Sequence, residues 1–261
     1  MDYIRKAIER ASTRQDDQTQ ALGARQPWTP SAEPHADHEK SLDLAHLEQQ
    51  RIITHDDTDA RSKHFHILRT QILQAMDSAG WQTLAITSPT PGCRAAETAV
   101  NLAISIARQP DRSVVLVDFD LSEPAVASCL GLKCDAGVAS VLLRSKSLSE
   151  ALIPLVVGNY RLSVLPNDAS IPNSSEWLAS RANALLLREI KAAFRSSILI
   201  VNIAPILPSD DAISILPQMD CALLVTAAGV TRRSEVKACE KYLKTVEVLR
   251  VLVHGASPLG S

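Results

Sequence analysis

Hydrophobic residues recur along this chain in two alternating patterns. Short continuous apolar runs, each bounded by polar or turn-forming residues, predict buried strands at 83–88, 113–120, 160–167, 197–204, 221–228 and 248–254. Longer segments with helical spacing predict helices at about 58–79, 95–109, 124–131 and 232–246, one or two helices within 175–194, and shorter ones near 42–47 and within 137–153. Apolar strands separated by helices predict an α/β fold, a doubly wound, mostly parallel sheet flanked by helices.

The first forty residues follow a different pattern. Within residues 1–12, Ile4 and Ile8 share one helical face with other apolar residues, which predicts a short amphipathic helix. A lone helix of this length is marginal in water, so we expect it to dock on the rest of the chain or on a partner. Residues 13–40 are rich in polar residues and proline and predict a flexible linker. One α/β domain is therefore expected over residues 41–261.

Composition narrows the function before any motif is considered. The formal net charge of −2 argues against an extended nucleic-acid surface, so we expect no nucleic-acid partner. Five cysteines without a C-x-x-C pair are typical of a reducing, cytoplasmic compartment. No apolar run approaches the roughly 20 residues that span a bilayer. We expect a cytoplasmic protein whose membrane association, if it has one, comes through a partner.

The segment after the first strand resembles a phosphate-binding loop without its chemistry. A working loop needs glycines that let backbone amides surround phosphate, a lysine, and a hydroxyl for Mg²⁺. The corresponding residues here are Gly92, Cys93, Arg94, Ala95, Ala96 and Glu97. Arg94 stands at a glycine position, Ala95 at the lysine and Ala96 at the hydroxyl. Glu97 adds negative charge where the helix would attract phosphate. We therefore predict a vestigial loop with no bound cofactor or metal.

Two alternatives stay open at this loop. Arginine binds phosphate well, so Arg94 is able in principle to replace the missing lysine. The loop is also compatible with an unrelated Rossmann-like fold. Cys93 is either a structural residue or, beside Arg94, a reactive thiol.

Several other segments carry a family resemblance. VVLVDFDLSEPAVASCLGL resembles the second nucleotide motif of the bacterial tyrosine autokinases, which serve capsule and exopolysaccharide assembly. SILIVNIAPILPSDDA is similar to their Walker B strand, and HFHILRTQI to the helix before their P-loop. DYIRKAIERA and LDLAHLEQQRIIT resemble the exosortase-associated variant of this family. The resemblance implies a P-loop NTPase-like fold with a deviant Walker A motif, as in Min and Par proteins.

The resemblance also assigns roles to residues outside the loop. Asp118 and Asp120 match the family's metal-linked aspartates, whereas Asn202 stands at the Walker B aspartate and lacks its charge. An uncharged amide weakens a site for a hard cation. Without a metal, Asp118 and Asp120 are expected to cap a strand end or to pair with Arg94 or Arg232. We predict that these three positions are vestigial and that no residue is catalytic.

The family's assembly pattern, E-x-x-R-x-x-R, is also changed. This chain has Lys63, His66 and Arg69 at the three positions, and the family's C-terminal tyrosine cluster is absent from it. Lost charge pairs weaken an interface whose partner groups remain buried. We expect a monomer or a twofold dimer instead of a ring of eight, with the helix bearing Ile4 and Ile8 as a candidate contact.

Three functions are compatible with these observations. The first is a pseudokinase that regulates or scaffolds exopolysaccharide synthesis and export at the inner membrane. Its expected partners are the cytoplasmic segments of a Wzz-like polysaccharide co-polymerase and, in addition, an active kinase of the same fold. The second is an atypical ATP- and Mg²⁺-dependent kinase or ATPase that uses Arg94, Asp118 and Asp120. The third is a Min/Par-type positioning protein.

Overall fold

The structure, a computed structural model, describes residues 40–56 and 58–255 of the chain. The predicted N-terminal helix with Ile4 and Ile8 lies outside the described residues, and so does the linker except for its last residue. That residue, Lys40, lies in a short strand with Ser41.

Strands and helices alternate along most of the described chain. The strands are β1 (Lys40–Ser41), β2 (Thr83–Thr87), β3 (Ser113–Asp118), β4 (Ile153–Val157), β5 (Tyr160–Leu165), β6 (Ser197–Asn202), β7 (Cys221–Ala227) and β8 (Glu247–His254). The helices are α1 (Leu44–Gln49), α2 (Ser62–Ala79), α3 (Ala95–Ala107), α4 (Val126–Leu130), α5 (Val138–Leu142), α6 (Leu148–Ala151), α7 (Ser174–Leu178), α8 (Arg181–Ala193), α9 (Asp211–Ile215) and α10 (Arg233–Leu243).

All eight strands form one sheet in the order β1-β4-β5-β3-β6-β2-β7-β8. Neighbouring strands are parallel except β4 and β5, which form an antiparallel hairpin. This confirms the doubly wound, mostly parallel α/β fold. Because parallel strands start at one edge of the sheet and end at the other, the segments following β2, β3, β6 and β7 meet at the carboxyl edge.

Helices cover both faces of the sheet. Helices α1 to α4 bury their apolar side chains on one face, and α5 to α10 bury theirs on the other. The central strands β2, β6 and β7 are buried along their whole length, as their continuous Ala, Val, Leu and Ile runs require. Within the described ranges, no helix is long and apolar enough to cross a membrane.

The sequence did not predict strand β4. Its residues directly follow a helical pattern, and Pro154 interrupts the run, so periodicity alone gives no strand signal there. The usable signal is the two-residue turn Gly158–Asn159 between two apolar runs, which is typical of a hairpin. Gly158 has φ 60°, which glycine adopts without strain.

Candidate functional site

The carboxyl ends of four neighbouring strands bring the sequence-predicted site residues together. The loop with Gly92 and Arg94 follows β2, Asp118 ends β3, and Asn202 ends β6. In the register of β3 and β6, Asp118 lies directly beside Asn202. The turn after β7 closes the other side of the loop, where Val230 approaches Gly92. The topology therefore assembles the place where P-loop proteins hold nucleotide.

Arg94 gives the loop an unusual backbone. It precedes α3 with φ 66° and ψ 43°, the left-handed region that glycine occupies freely. A residue with a side chain pays roughly 1–2 kcal/mol there. The loop has thus kept the backbone shape of its glycine position after losing the glycine. Ala95 and Ala96 then begin α3, and their methyl groups provide neither an ammonium nor a hydroxyl.

The loop is fastened to its neighbours on both sides. The Cys93 thiol is buried and lies 3.2 Å from the Thr231 hydroxyl in the turn after β7. On the opposite side, the Ile206 amide donates to the Ser88 carbonyl at 2.8 Å. Cys93 therefore anchors the loop instead of presenting a reactive thiol to solvent.

A further contact joins the first turn of α3 to the end of β8. The Thr98 hydroxyl donates to the Arg94 carbonyl at 2.8 Å, and the same oxygen lies 2.8 Å from Nε2 of His254. Because that hydroxyl proton is already used, His254 Nε2 is the donor. Burial lowers the pKa of His254 below its ordinary value, so this imidazole is neutral at pH 7.

Asp118 and Asn202 form the centre of the site. Asn202 Nδ2 donates to Asp118 Oδ1 at 2.8 Å, and both side chains are buried. The Asp120 amide also donates to Oδ1, while the Ala125 and Val126 amides donate to Oδ2 at 3.1 and 3.0 Å. Asp118 ends β3, and its carboxylate accepts the amides at the start of α4, which have no partner within the helix. Asp118 is therefore the strand-end cap that the sequence analysis expected.

Burial dominates the electrostatics of both aspartates. It raises the pKa of Asp118 to about 6, because desolvation outweighs the hydrogen bonds from Asn202 and the backbone. The pKa of Asp120 is raised for the same reason, and the neighbouring Asp211 adds repulsion. Asp120 accepts from the backbone amide of Glu123 at 2.9 Å. Both carboxylates are held by N–H donors of the chain itself.

The polar groups at the centre of the site are engaged with the chain itself. A metal-bound nucleotide requires oxygen ligands that are free to face the cation and a cationic group for the phosphates. Here both oxygens of Asp118 accept N–H groups, and Asn202 presents its N–H₂ to Asp118 instead of an oxygen to a metal. Across residues 40–56 and 58–255, no group of three His, Cys, Asp or Glu side chains is arranged to hold a metal ion.

The three assembly positions lie on α2. Lys63 is exposed, whereas His66 and Arg69 are half-buried. Arg69 Nη1 donates to the backbone carbonyl of Ser105 in the last turn of α3 at 2.9 Å. The arginine that the family pattern retains is thus committed to a contact within the chain.

Sequence reasoning missed Thr98, His254 and Thr231 as residues of this site. Thr98 and His254 are 156 positions apart, and Cys93 and Thr231 are 138 apart. Only the strand order places them in contact, so no local pattern signals them. The pairing of Asn202 with Asp118 had one signal, since each lies close to the carboxyl end of a predicted buried strand.

Comparison with known proteins finds bacterial tyrosine kinases that are similar in sequence. The chain is 31% identical over 184 residues to tyrosine-protein kinase YwqD of Bacillus subtilis, covering 70% of this chain and 76% of that protein. It is 27% identical over 195 residues to EpsB of Ralstonia solanacearum, but spans only 25% of that longer protein. No family model matches the chain.

Solved structures that are similar to this chain also include a tyrosine-kinase domain. The chimerical protein CapA2B2 superposes with a TM-score of 0.71 at 26% identity, covering 83% of this chain and 92% of that one. The kinase domain of the Escherichia coli tyrosine kinase ETK also reaches a TM-score of 0.71, at 24% identity over 80% of this chain and 83% of its own. MinD from Pyrococcus horikoshii, solved with Mg-ADP, reaches 0.53 at 20% identity over 68% of this chain and 72% of its own.

The fold is thus that of P-loop NTPases of the tyrosine-kinase and MinD type. The chain belongs to the bacterial tyrosine-kinase (BY-kinase) family, which confirms the resemblance inferred from its motifs.

Proposed function

We propose that this chain is a pseudokinase, a member of its family that has given up phosphoryl transfer and acts by binding other proteins. One observation carries the proposal. Asn202 donates a hydrogen bond to Asp118, where a metal-dependent site needs two oxygen donors facing a cation. The same pocket lacks the lysine and hydroxyl that would hold and neutralise phosphates, because Ala95 and Ala96 occupy their positions.

The proposed role is regulation or scaffolding of exopolysaccharide or capsule synthesis and export. Its motifs support this role, because they resemble kinases of that process. The expected partner is the cytoplasmic part of a Wzz-like polysaccharide co-polymerase, which would hold this chain at the inner membrane. An active tyrosine kinase of the same fold is a second expected partner.

The alternative is an atypical kinase or ATPase that uses Arg94, Asp118 and Asp120. The names of its relatives favour activity, since YwqD is called a tyrosine-protein kinase. The local contacts oppose it, because Asp118 is buried and already accepts four N–H groups. A positioning role of the Min/Par type has only the shared fold in its favour.

An autophosphorylation assay distinguishes the pseudokinase from an active kinase. Purified protein incubated with Mg²⁺ and labelled ATP is expected to show no phosphotyrosine on Tyr3, Tyr160 or Tyr242, because phosphate charge finds no compensation in the loop. The matched control is Asp118→Ala. A phosphotyrosine signal in the natural chain that disappears in Asp118→Ala would overturn the pseudokinase proposal.

A further inference from the structure

Strand β8 is the last strand of the sheet in the described part of the chain. It lies last in the strand order and pairs with β7 alone among the strands of the described chain. It is eight residues long, whereas β1 at the opposite edge has two. Proteins usually protect such edges with charged side chains, especially lysine, with proline, with β-bulges or by keeping the strand very short. In β8, EVLRVLVH, the charged residues Glu247 and Arg250 and the β-bulge lie in the first half, and the second half, 251–254, has no proline and no Lys, Arg, Asp or Glu.

The backbone directions along β8 follow from two contacts with β7 and the turn after it. The His254 carbonyl accepts from the Ala228 amide at 2.8 Å, and the Leu252 carbonyl accepts from the Thr226 hydroxyl at 3.0 Å. Both carbonyls therefore point towards β7. Because successive backbone groups in a strand point to opposite sides, the amide and carbonyl of Val251 and Val253 point away from the sheet.

The same two valines expose apolar side chains. In the register with β7, Val251 lies beside Leu224 and Val253 beside Thr226. Leu224 belongs to the core covered by α5 to α10, so both valines lie on that face of the sheet. Val251 is 38% exposed and Val253 is 49% exposed. Leu252, between them, packs on the opposite face.

We propose that two copies of this chain pair through β8, antiparallel and centred on Leu252, across a twofold axis. In this register Val251 of each copy lies opposite Val253 of the other. The outward backbone groups of each such pair exchange two hydrogen bonds, so the symmetric pairing supplies four. Each exposed valine then covers the exposed valine of the second copy.

The register centred on Leu252 is the one in which both exposed valines of each copy lie opposite an exposed valine of the other. The β-bulge at the register shift between Ala222 and Leu223 places one extra β8 residue, Leu249, out of alternation. A pairing centred on Leu252 uses only the regular part, 250–254, and keeps opposite residues on the same face. A register shifted by one residue would place Val251 opposite a residue of the other face. An isologous dimer requires one patch that is complementary to itself, and this part of β8 meets that requirement. A second copy of the chain is therefore the partner that fits this edge.

Charge is compatible with the pairing at neutral pH. Arg250 of one copy lies opposite His254 of the other, and burial keeps His254 neutral. Only five residues of each copy pair, so the interface is small and the dimer is expected to dissociate on dilution.

The first test replaces the two exposed valines by charges. Sedimentation equilibrium of the full chain over a range of concentrations is expected to show a monomer–dimer equilibrium. Val251→Lys/Val253→Lys is expected to remove the dimer, since two lysines per copy would face one another across the axis. The control is Leu143→Lys, which changes another exposed apolar residue (54%) beside α5, five strands away from β8. A natural chain that is monomeric at every concentration, or a dimer that survives the double substitution, would overturn the proposal.

The second test does not depend on how well the lysine variant folds. In the proposed register Leu252 faces its own counterpart in a non-hydrogen-bonded pair, where Cα atoms lie about 4.5 Å apart, within the range of a disulfide. Leu252→Cys treated with oxidised glutathione is expected to form a disulfide-linked dimer on non-reducing gels. The natural chain and Leu143→Cys, treated alike, are the controls. Equal cross-linking of Leu143→Cys, or none of Leu252→Cys, would contradict the register.

Discussion

The amide of Asn202 removes the need for the charge compensation that a second buried carboxylate beside Asp118 would require. A carboxylate at this position would lie beside Asp118, whose Oδ1 is 2.8 Å from Asn202 Nδ2. Two buried carboxylates at this distance need a cation or a shared proton. The amide removes that need, because it donates to Asp118 permanently. Under the pseudokinase proposal, the same contacts stabilise the site without a metal and take up the oxygens that a metal would need.

Restoring the carboxylate is therefore expected to destabilise the protein. Asn202→Asp should lower the free energy of unfolding at pH 7 by on the order of 3–5 kcal/mol, because it leaves uncompensated buried charge. Urea denaturation of both proteins at pH 7 and pH 5 measures the effect.

The direction of the pH dependence follows from the raised pKa of Asp118, about 6 in the natural chain. A carboxyl group whose pKa is raised in the folded state adds stability at low pH and loses it as the pH rises through that pKa. A second carboxylate raises the pKa of the pair further. The stability gap between Asn202→Asp and the natural chain is thus expected to be largest at pH 7 and to narrow at pH 5. An equally stable variant at pH 7 would contradict this account of the site.

At the scale of elements, the short helices depend on close backbone contacts with strand ends. Helix α5 is the clearest case. The Val138 amide donates to the Pro166 carbonyl at 2.8 Å, just after β5. A Cβ added at Gly137 would lie 2.4 Å from the same carbonyl oxygen. Gly137 is thus required by close approach, since its extended backbone is open to any residue.

Gly137→Ala is expected to lower the free energy of unfolding by about 3 kcal/mol or more, because the obstacle is backbone and cannot move aside. The matched control is Gly158→Ala in the β4–β5 turn. An added Cβ meets nothing within 4 Å there, and only the left-handed backbone, φ 60°, opposes it. That variant should lose about 1 kcal/mol. Thermal and urea unfolding of the two variants measure the difference, and equal losses would contradict the packing argument.

The elements themselves were predictable to different degrees. Long apolar runs such as β2, β3, β6 and β7 were identified because burial on both faces leaves a continuous hydrophobic signal. Strand β4 and helix α9 were not, since each has only five residues and its local pattern does not separate strand, helix and loop. The interval predicted as one or two helices at 175–194 contains two, α7 and α8.

At the scale of the whole molecule, the fold persists although Ala95 and Ala96 replace the lysine and the hydroxyl expected of its loop. The site is assembled by the ends of apolar strands, and the apolar residues of these strands determine the topology. The departures at Arg94, Ala95, Ala96 and Asn202 were readable from the sequence because each stands at a known motif position. Their consequences were not, because the contacts of Asp118 and of the loop come from segments distant in sequence.

Restored motifs provide a control for nucleotide binding. Arg94→Gly/Ala95→Lys/Ala96→Ser returns the loop chemistry, and adding Asn202→Asp returns the second carboxylate beside Asp118. In the presence of Mg²⁺, both variants are expected to recover some binding of ATP. The quadruple variant is expected to bind more tightly than the triple, since only it can present two carboxylates to the cation.

The most direct test of the central claim is calorimetric titration of Mg-ATP into the full natural chain. The account predicts no saturable heat at millimolar nucleotide, and no rise in the unfolding midpoint under the same conditions, because a ligand that does not bind the folded state cannot stabilise it. Saturable binding by the natural chain, or a midpoint raised by several degrees with Mg-ATP, would contradict it.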